Sequence, residues 1–258
     1  LSLDKVFAEG DLVINLVYMQ GSTSEQNHQV VKNLIQACMK SKVARLVHCS
    51  TALVVGATTL SDIRESTPCL PLTDYEVTKY ELEKFILSDL HNGLDVAVLR
   101  PTAVVGVGSK NLVKLSDQLI NSSKITNYFR ASLFGNRPMH LVPVQMVSEA
   151  LVHLIFSPNP LAKQVYIVAA DSDADNNFKK VEGLLRKALG MEHRKIPLLP
   201  LPKFFLRSLL RLLGRTDFRL SRNYRTDKLK STGFQTASSV GSAVMSFGTS
   251  IKHFKLKD

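Results

Sequence analysis

Apolar residues along this chain recur in short blocks separated by longer amphipathic stretches. Residues 11–19 (DLVINLVYM), 44–50 (ARLVHCS) and 95–100 (DVAVLR) are brief, nearly continuous apolar runs rich in branched side chains. Runs of that length predict buried β-strands. Between the first two lies SEQNHQVVKNLIQACMKSK, in which Val30, Val31, Leu34, Ile35 and Cys38 fall at helical spacing. Between the second and third lies DYEVTKYELEKFILSDLHNG, a second helical pattern closed by Gly93. Apolar strands alternating with helices predict a parallel sheet covered on both faces, an α/β, doubly wound architecture.

Beyond Gly106 the alternation loosens through GVGSKNLVKLSDQLINSSKITNYF. A short strand at QVYIVAA (164–170) is expected to return to the sheet, and a further helix is expected near 176–189. From Pro197 the chain turns Pro- and Leu-rich, and it ends with KLKSTGF and a last helical stretch. The pattern divides the chain into a sheet domain over 1–106 and a smaller, mostly helical lobe over 107–258.

At 258 residues and 45% hydrophobic, the chain is long enough for one large domain or a domain with a small lobe. The net charge of +11 admits nucleic acid, an anionic membrane surface or a phosphorylated substrate as partner. With no Trp and no run of five like charges, a nucleic-acid surface is not expected. Cys38, Cys49 and Cys69 form no CxxC pair, which fits free thiols in a reducing, cytoplasmic setting. The seven histidines show no ligand spacing, so no metal site is expected. The segment 203–215 places Arg207, Arg211 and Arg215 on one helical face, with Phe205, Leu206, Leu209, Leu210 and Leu213 around the remainder. Such a helix can be a lobe element with a solvated arginine face, can rest peripherally on an anionic membrane, or can grip a substrate phosphate.

Candidate chemistry starts from Tyr75 and Lys79, one helical turn apart and on one face. An ammonium beside a phenol favours the phenolate, so this pair is expected to bring the tyrosine down toward the range where it exchanges protons. Tyr80/Lys84 and Tyr224/Lys228 have the same spacing. Tyr75, however, opens its helix directly after the turn-rich ESTPCLPLTD, whereas Tyr80 lies roughly 140° further around the helix. Ser50 and Thr51 stand at the carboxyl end of the preceding strand, the edge where open α/β sheets bind ligands. Hydroxyls there either cap the chain or hold a substrate oxygen.

The ordered set LVHCSTALVVG, ESTPCLPLTDYEVTKYELEKF and AVLRPTAVVG resembles the extended short-chain dehydrogenase/reductase family, within it the NAD-dependent epimerase/dehydratase group typified by UDP-galactose 4-epimerase. DLVINLVYM resembles that family's fourth sheet strand, and DKLKSTGF a late family motif. The resemblance implies a Rossmann-like domain with a substrate lobe and NAD or NADP as cofactor. It implies Thr51, Tyr75 and Lys79 as the catalytic set: Thr51 to hydrogen-bond the reacting oxygen, Tyr75 to move its proton, Lys79 to hold the nicotinamide ribose. Asn27 and Thr102 match cofactor contacts, beside Tyr75 and Lys79 themselves. The reaction implied is oxidoreduction or epimerisation at a hydroxyl or carbonyl carbon, most commonly of a nucleotide sugar. A sterol-like or flavonoid-like alcohol and a non-catalytic dinucleotide-binding module are the alternatives. A homodimer through two long helices is also implied.

The sequence departs from the family pattern in three places. The glycine-rich phosphate loop is absent from residues 1–258, and its place would fall upstream of Leu1, so the Rossmann-like domain is expected to be N-terminally truncated and inactive alone. Val17 stands where a small alanine is expected and is predicted to crowd the cofactor. Gln145 and Met146 replace an Asp pair.

Overall fold

The computed structural model describes residues 6–88, 93–191, 198, 208 and 222–255. The apolar blocks become strands β1 (Leu12–Asn15), β2 (Arg45–Cys49), β4 (Asp95–Pro101) and β7 (Gln164–Val168), with a two-residue β3 (Asp62–Ile63) and a short β5 (Ala103–Val105) and β6 (Leu141–Pro143) between them. The main sheet runs β1-β2-β4-β7, every pairing parallel. The returning strand expected near 164–170 is β7, which adds to the far side of β4.

Helices α1 (Ser24–Lys40) and α2 (Asp74–Ile86) pack on one face of this sheet, where Val31, Ile35, Leu82 and Ile86 bury against Val13, Leu46 and Val96. Val47, Ala97 and Leu99, the alternate residues of the same strands, point to the opposite face, onto α5 (Val144–Ile155). Two layers of helix on one parallel sheet are the doubly wound arrangement expected from the sequence. Capping boxes fix both helix starts. Thr23 with Gln26 opens α1, and Thr73 with Glu76 opens α2.

The first strand is shorter than its apolar run. At Asn15 the side chain takes over, its Oδ1 accepting from Val17 N at 2.9 Å and its Nδ2 lying 2.9 Å from His48 Nδ1. That local bond turns the chain out of the ladder and leaves Leu16 and Val17 exposed at the carboxyl edge. Beyond β4 the structure is less purely helical than the sequence suggests. Helices α3 (Lys110–Asn121), α4 (Lys124–Phe134) and α6 (Phe178–Ala188) are joined by the pair β5-β6, and β3 pairs with β8 (Asn223–Tyr224) across a large sequence separation. The late DKLKSTGF segment forms α7 (Asp227–Ser231), and α8 (Val240–Lys255) packs on α6. The basic amphipathic segment 203–215 lies outside the described residues, apart from Ser208. Among the described residues no helix is long and apolar enough to cross a membrane.

Candidate active site

Two local devices bring the predicted residues together. Strand β2 ends at Cys49, and Thr51 at once caps a short 3-10 turn over Ala52–Val55, its hydroxyl accepting from Leu53 N at 3.2 Å. The Thr73–Glu76 box sets Tyr75 in the first turn of α2, the Glu76 carboxylate accepting from Leu72 N at 2.7 Å. The same Thr51 side chain lies close enough to Tyr75 to act on its phenol, so the hydroxyl that caps the turn also borders the candidate acid/base group. Ser50 lies beside them, buried, with its Oγ unpartnered among the described residues.

Lys79 is 4% exposed, one turn further along α2. Its Nζ donates to the Cys49 carbonyl at 3.2 Å and sits 4.8 Å from the centre of the Tyr18 ring, which meets the Tyr75 ring edge-on at 5.1 Å. The electrostatics correct one expectation. Burial pushes the Tyr75 phenol above its usual range, Tyr18 and Cys49 add to this, and the Thr51 side chain opposes it. The reason is geometric, because the ammonium is turned to a carbonyl and the neighbouring ring. Burial also lowers Lys79 from its ordinary value, while Cys49 and Glu83 pull it back up. In this arrangement Tyr75 rests as a neutral phenol, set to give a proton to an oxygen that gains charge.

Asn27 is buried, and its amide is engaged with the chain: Oδ1 accepts from Met19 N at 2.9 Å, and Nδ2 donates to the carbonyls of Met19 and Thr23. It fixes the loop between β1 and α1 rather than presenting a free group. Thr102 sits just past β4 at the carboxyl edge, its amide donating to Val168 O at 3.2 Å and its buried Oγ1 unpartnered among the described residues. Val17 is half exposed at the same edge.

A cavity of about 350 Å³ opens next to this group. Ala52 and Leu53 of the turn after Thr51 line it, together with Thr102 and Ala103, Phe134, and the stretch from Arg137 to His140. Phe178 and Tyr224 complete the wall. Sequence reasoning missed this wall, because His140, Phe178 and Tyr224 come from three distant segments and no local spacing in the chain links them.

The family model described as the NAD dependent epimerase/dehydratase family matches residues 2–141. The chain belongs to this family. No curated protein matches it in sequence. Among solved structures, UDP-glucuronic acid 4-epimerase from Bacillus cereus in complex with NAD superposes with a TM-score of 0.70 at 16% identity, over 99% of this chain and 77% of that one. RMD from Pseudomonas aeruginosa complexed with NADPH gives 0.68 at 16% identity, over 98% and 85%. UDP-N-acetylglucosamine 4-epimerase from Bacillus cereus gives 0.64 at 18%, over 97% and 81%. At such identities the likeness is one of fold, an α/β Rossmann-like one.

Proposed function

We propose that this epimerase/dehydratase family chain is an NAD- or NADP-dependent enzyme acting at a hydroxyl or carbonyl carbon, with Thr51, Tyr75 and Lys79 as its catalytic residues. The observation that carries the reading is the buried Thr51 side chain brought beside the Tyr75 phenol at the carboxyl end of a parallel sheet, with the buried Lys79 ammonium one turn away. The buried, unpartnered hydroxyls of Ser50 and Thr102 lie at the same edge and fit the polar nicotinamide and ribose end of the cofactor. Lys79 belongs with them as the ribose contact, and Asn27 supports the loop that borders them. The phosphate end has no glycine-rich turn within residues 1–258, so no residue is assigned to it. The cofactor, when bound, supplies or takes the hydride. Thr51 orients the substrate oxygen, and Tyr75 gives or takes the oxygen's proton. Residues 107–258 mainly supply the substrate lobe, and the implied homodimer would use α1 and α2.

A nucleotide sugar is the leading substrate class, as for the UDP-sugar epimerases that share the fold. A second reading, an apolar alcohol, is favoured by one observation: most of the cavity wall is apolar or aromatic. The test is turnover of a panel of UDP-sugars and hydroxysteroids with NAD(H) and NADP(H), for the wild type and Tyr75→Phe. We expect Tyr75→Phe to lower kcat at least about 100-fold with cofactor affinity nearly unchanged. Equal turnover by the variant would remove Tyr75 from the mechanism. Tight cofactor binding with no turnover on any substrate would leave a binding module instead.

A further inference from the structure

His140 stands immediately before β6 with φ at +52°, in the left-handed region that a non-glycine residue enters only when its surroundings hold it there. They do so from both sides. Ala103 N donates to the His140 carbonyl at 2.9 Å, and the Asn176 side chain brackets Leu141, accepting from its amide at 2.9 Å and donating to its carbonyl at 2.8 Å. The ring is held just as firmly. His140 Nδ1 lies 2.7 Å from Asp171 Oδ2, an oxygen that also accepts from Tyr224 N at 2.8 Å, and the His140 and Tyr224 rings meet edge-on at 5.1 Å.

This device ends at an unsatisfied atom. His140 Nε2 is buried and has no hydrogen-bond partner among the described residues, although His140 lines the cavity next to Thr51. A buried ring nitrogen left alone is costly, and native proteins keep few of them. In the tautomer whose Nδ1 donates to the Asp171 carboxylate, Nε2 is an acceptor. Its natural complement is a hydroxyl or a ring N–H. Phe134, Phe178 and Tyr224 around it suit a flat, largely apolar group.

We propose that His140, aligned by Asp171, is a substrate-recognition residue, whose Nε2 accepts a hydrogen bond from a hydroxyl or ring N–H on the flat part of the substrate remote from the reacting carbon. The proposal deepens the functional reading above by naming the group that the cavity reads. A nucleobase N–H and a polycyclic hydroxyl both carry that donor, and the two probes below tell them apart.

The test is calorimetric binding of UDP-glucose and of pregnenolone to the whole chain in the presence of NADH, for the wild type and His140→Asn. Asparagine keeps a donor near the Nδ1 position for Asp171 and tolerates the left-handed backbone, but it removes Nε2. We expect one probe to bind the wild type and to bind His140→Asn at least about tenfold more weakly, Tyr75→Phe serving only the turnover comparison. UDP-glucose as that probe identifies a base N–H, pregnenolone a ring hydroxyl. His140→Asn binding within twofold of wild type at an unchanged melting temperature overturns the proposal, and so does a wild type that binds neither probe. Failure of the catalytic reading shows separately, as turnover that survives Tyr75→Phe.

Discussion

Beneath Lys79 lies a charge pair whose removal can be worked out from the structure. The Glu83 and Arg100 side chains are 1% and 5% exposed. Arg100 Nε donates to both carboxylate oxygens at 3.1 Å, and Nη2 donates to Oε2 at 2.6 Å. Changing Glu83 to Gln keeps the volume and deletes the charge, which strands a guanidinium in the interior. Breaking one partner of such a pair costs about 3–5 kcal/mol, much of it the penalty of the uncompensated ion. In a protein of this size each kcal/mol moves the melting temperature by about 2–4 °C, so a fall of about 6–20 °C is expected. Thermal unfolding followed by circular dichroism reads it directly. The double variant Glu83→Gln/Arg100→Met removes both charges and should recover most of the loss, giving a large coupling in a double-mutant cycle. There is also a signature at the active site. Glu83 helps to hold the Lys79 ammonium up against burial, so Glu83→Gln should lower the Lys79 pKa further and draw the alkaline limb of the activity profile downward. A Glu83→Gln protein that melts within about 2 °C of wild type would refute the argument that the pair is buried and mutually dependent.

Two further outcomes follow from single residues. His48 is fully buried, and burial, with help from Lys79, holds its pKa down to about 3. The unfolded chain therefore binds the proton first, so this contribution to stability is intact above about pH 6.5 and drains away as the pH falls toward 3. Between pH 7 and pH 4.5 the wild type should lose about 2–3 kcal/mol through this group, and a His48→Asn protein compared by urea titration at the two pH values should lose correspondingly less; equal losses would contradict the assignment. Gly56 closes the turn after Thr51 at φ +50°, and a Cβ there would sit 1.6 Å from the Leu70 carbonyl oxygen. Gly56→Ala should cost more than about 3 kcal/mol, and a variant with a melting temperature close to wild type would contradict so close an approach of the two backbones.

What could be read from the sequence was whatever is encoded locally. The strands β2 and β4, the helices α1 and α2 and the returning β7 follow from apolar periodicity, because each element buries a face that its own spacing displays. Thr51, Tyr75 and Lys79 were legible for a similar reason, since a strand end, a capping box and one helical turn suffice to place them. The direction of the Tyr75 shift was not, because it depends on where the Lys79 ammonium points. That is decided by the Cys49 carbonyl and the Tyr18 ring, both remote in sequence. The small sheets β3-β8 and β5-β6 escaped because strands of two or three residues carry no period. The cavity escaped because its wall is drawn from segments as far apart as Ala52 and Tyr224.

That last contrast bears on how such a protein can change. The residues proposed to handle the proton occupy one stretch of chain, from Thr51 to Lys79, whose geometry is fixed by a turn, a cap and a buried ion pair. The cavity wall is a mosaic of side chains from separate elements, few of which the main sheet needs for its own packing. Substitutions at positions such as Phe134, Met139 or Phe178 can therefore redraw what is recognised while the chemistry stays in place. Recognition and reaction can drift independently, which gives lineages built on this plan an inexpensive route from one substrate to another.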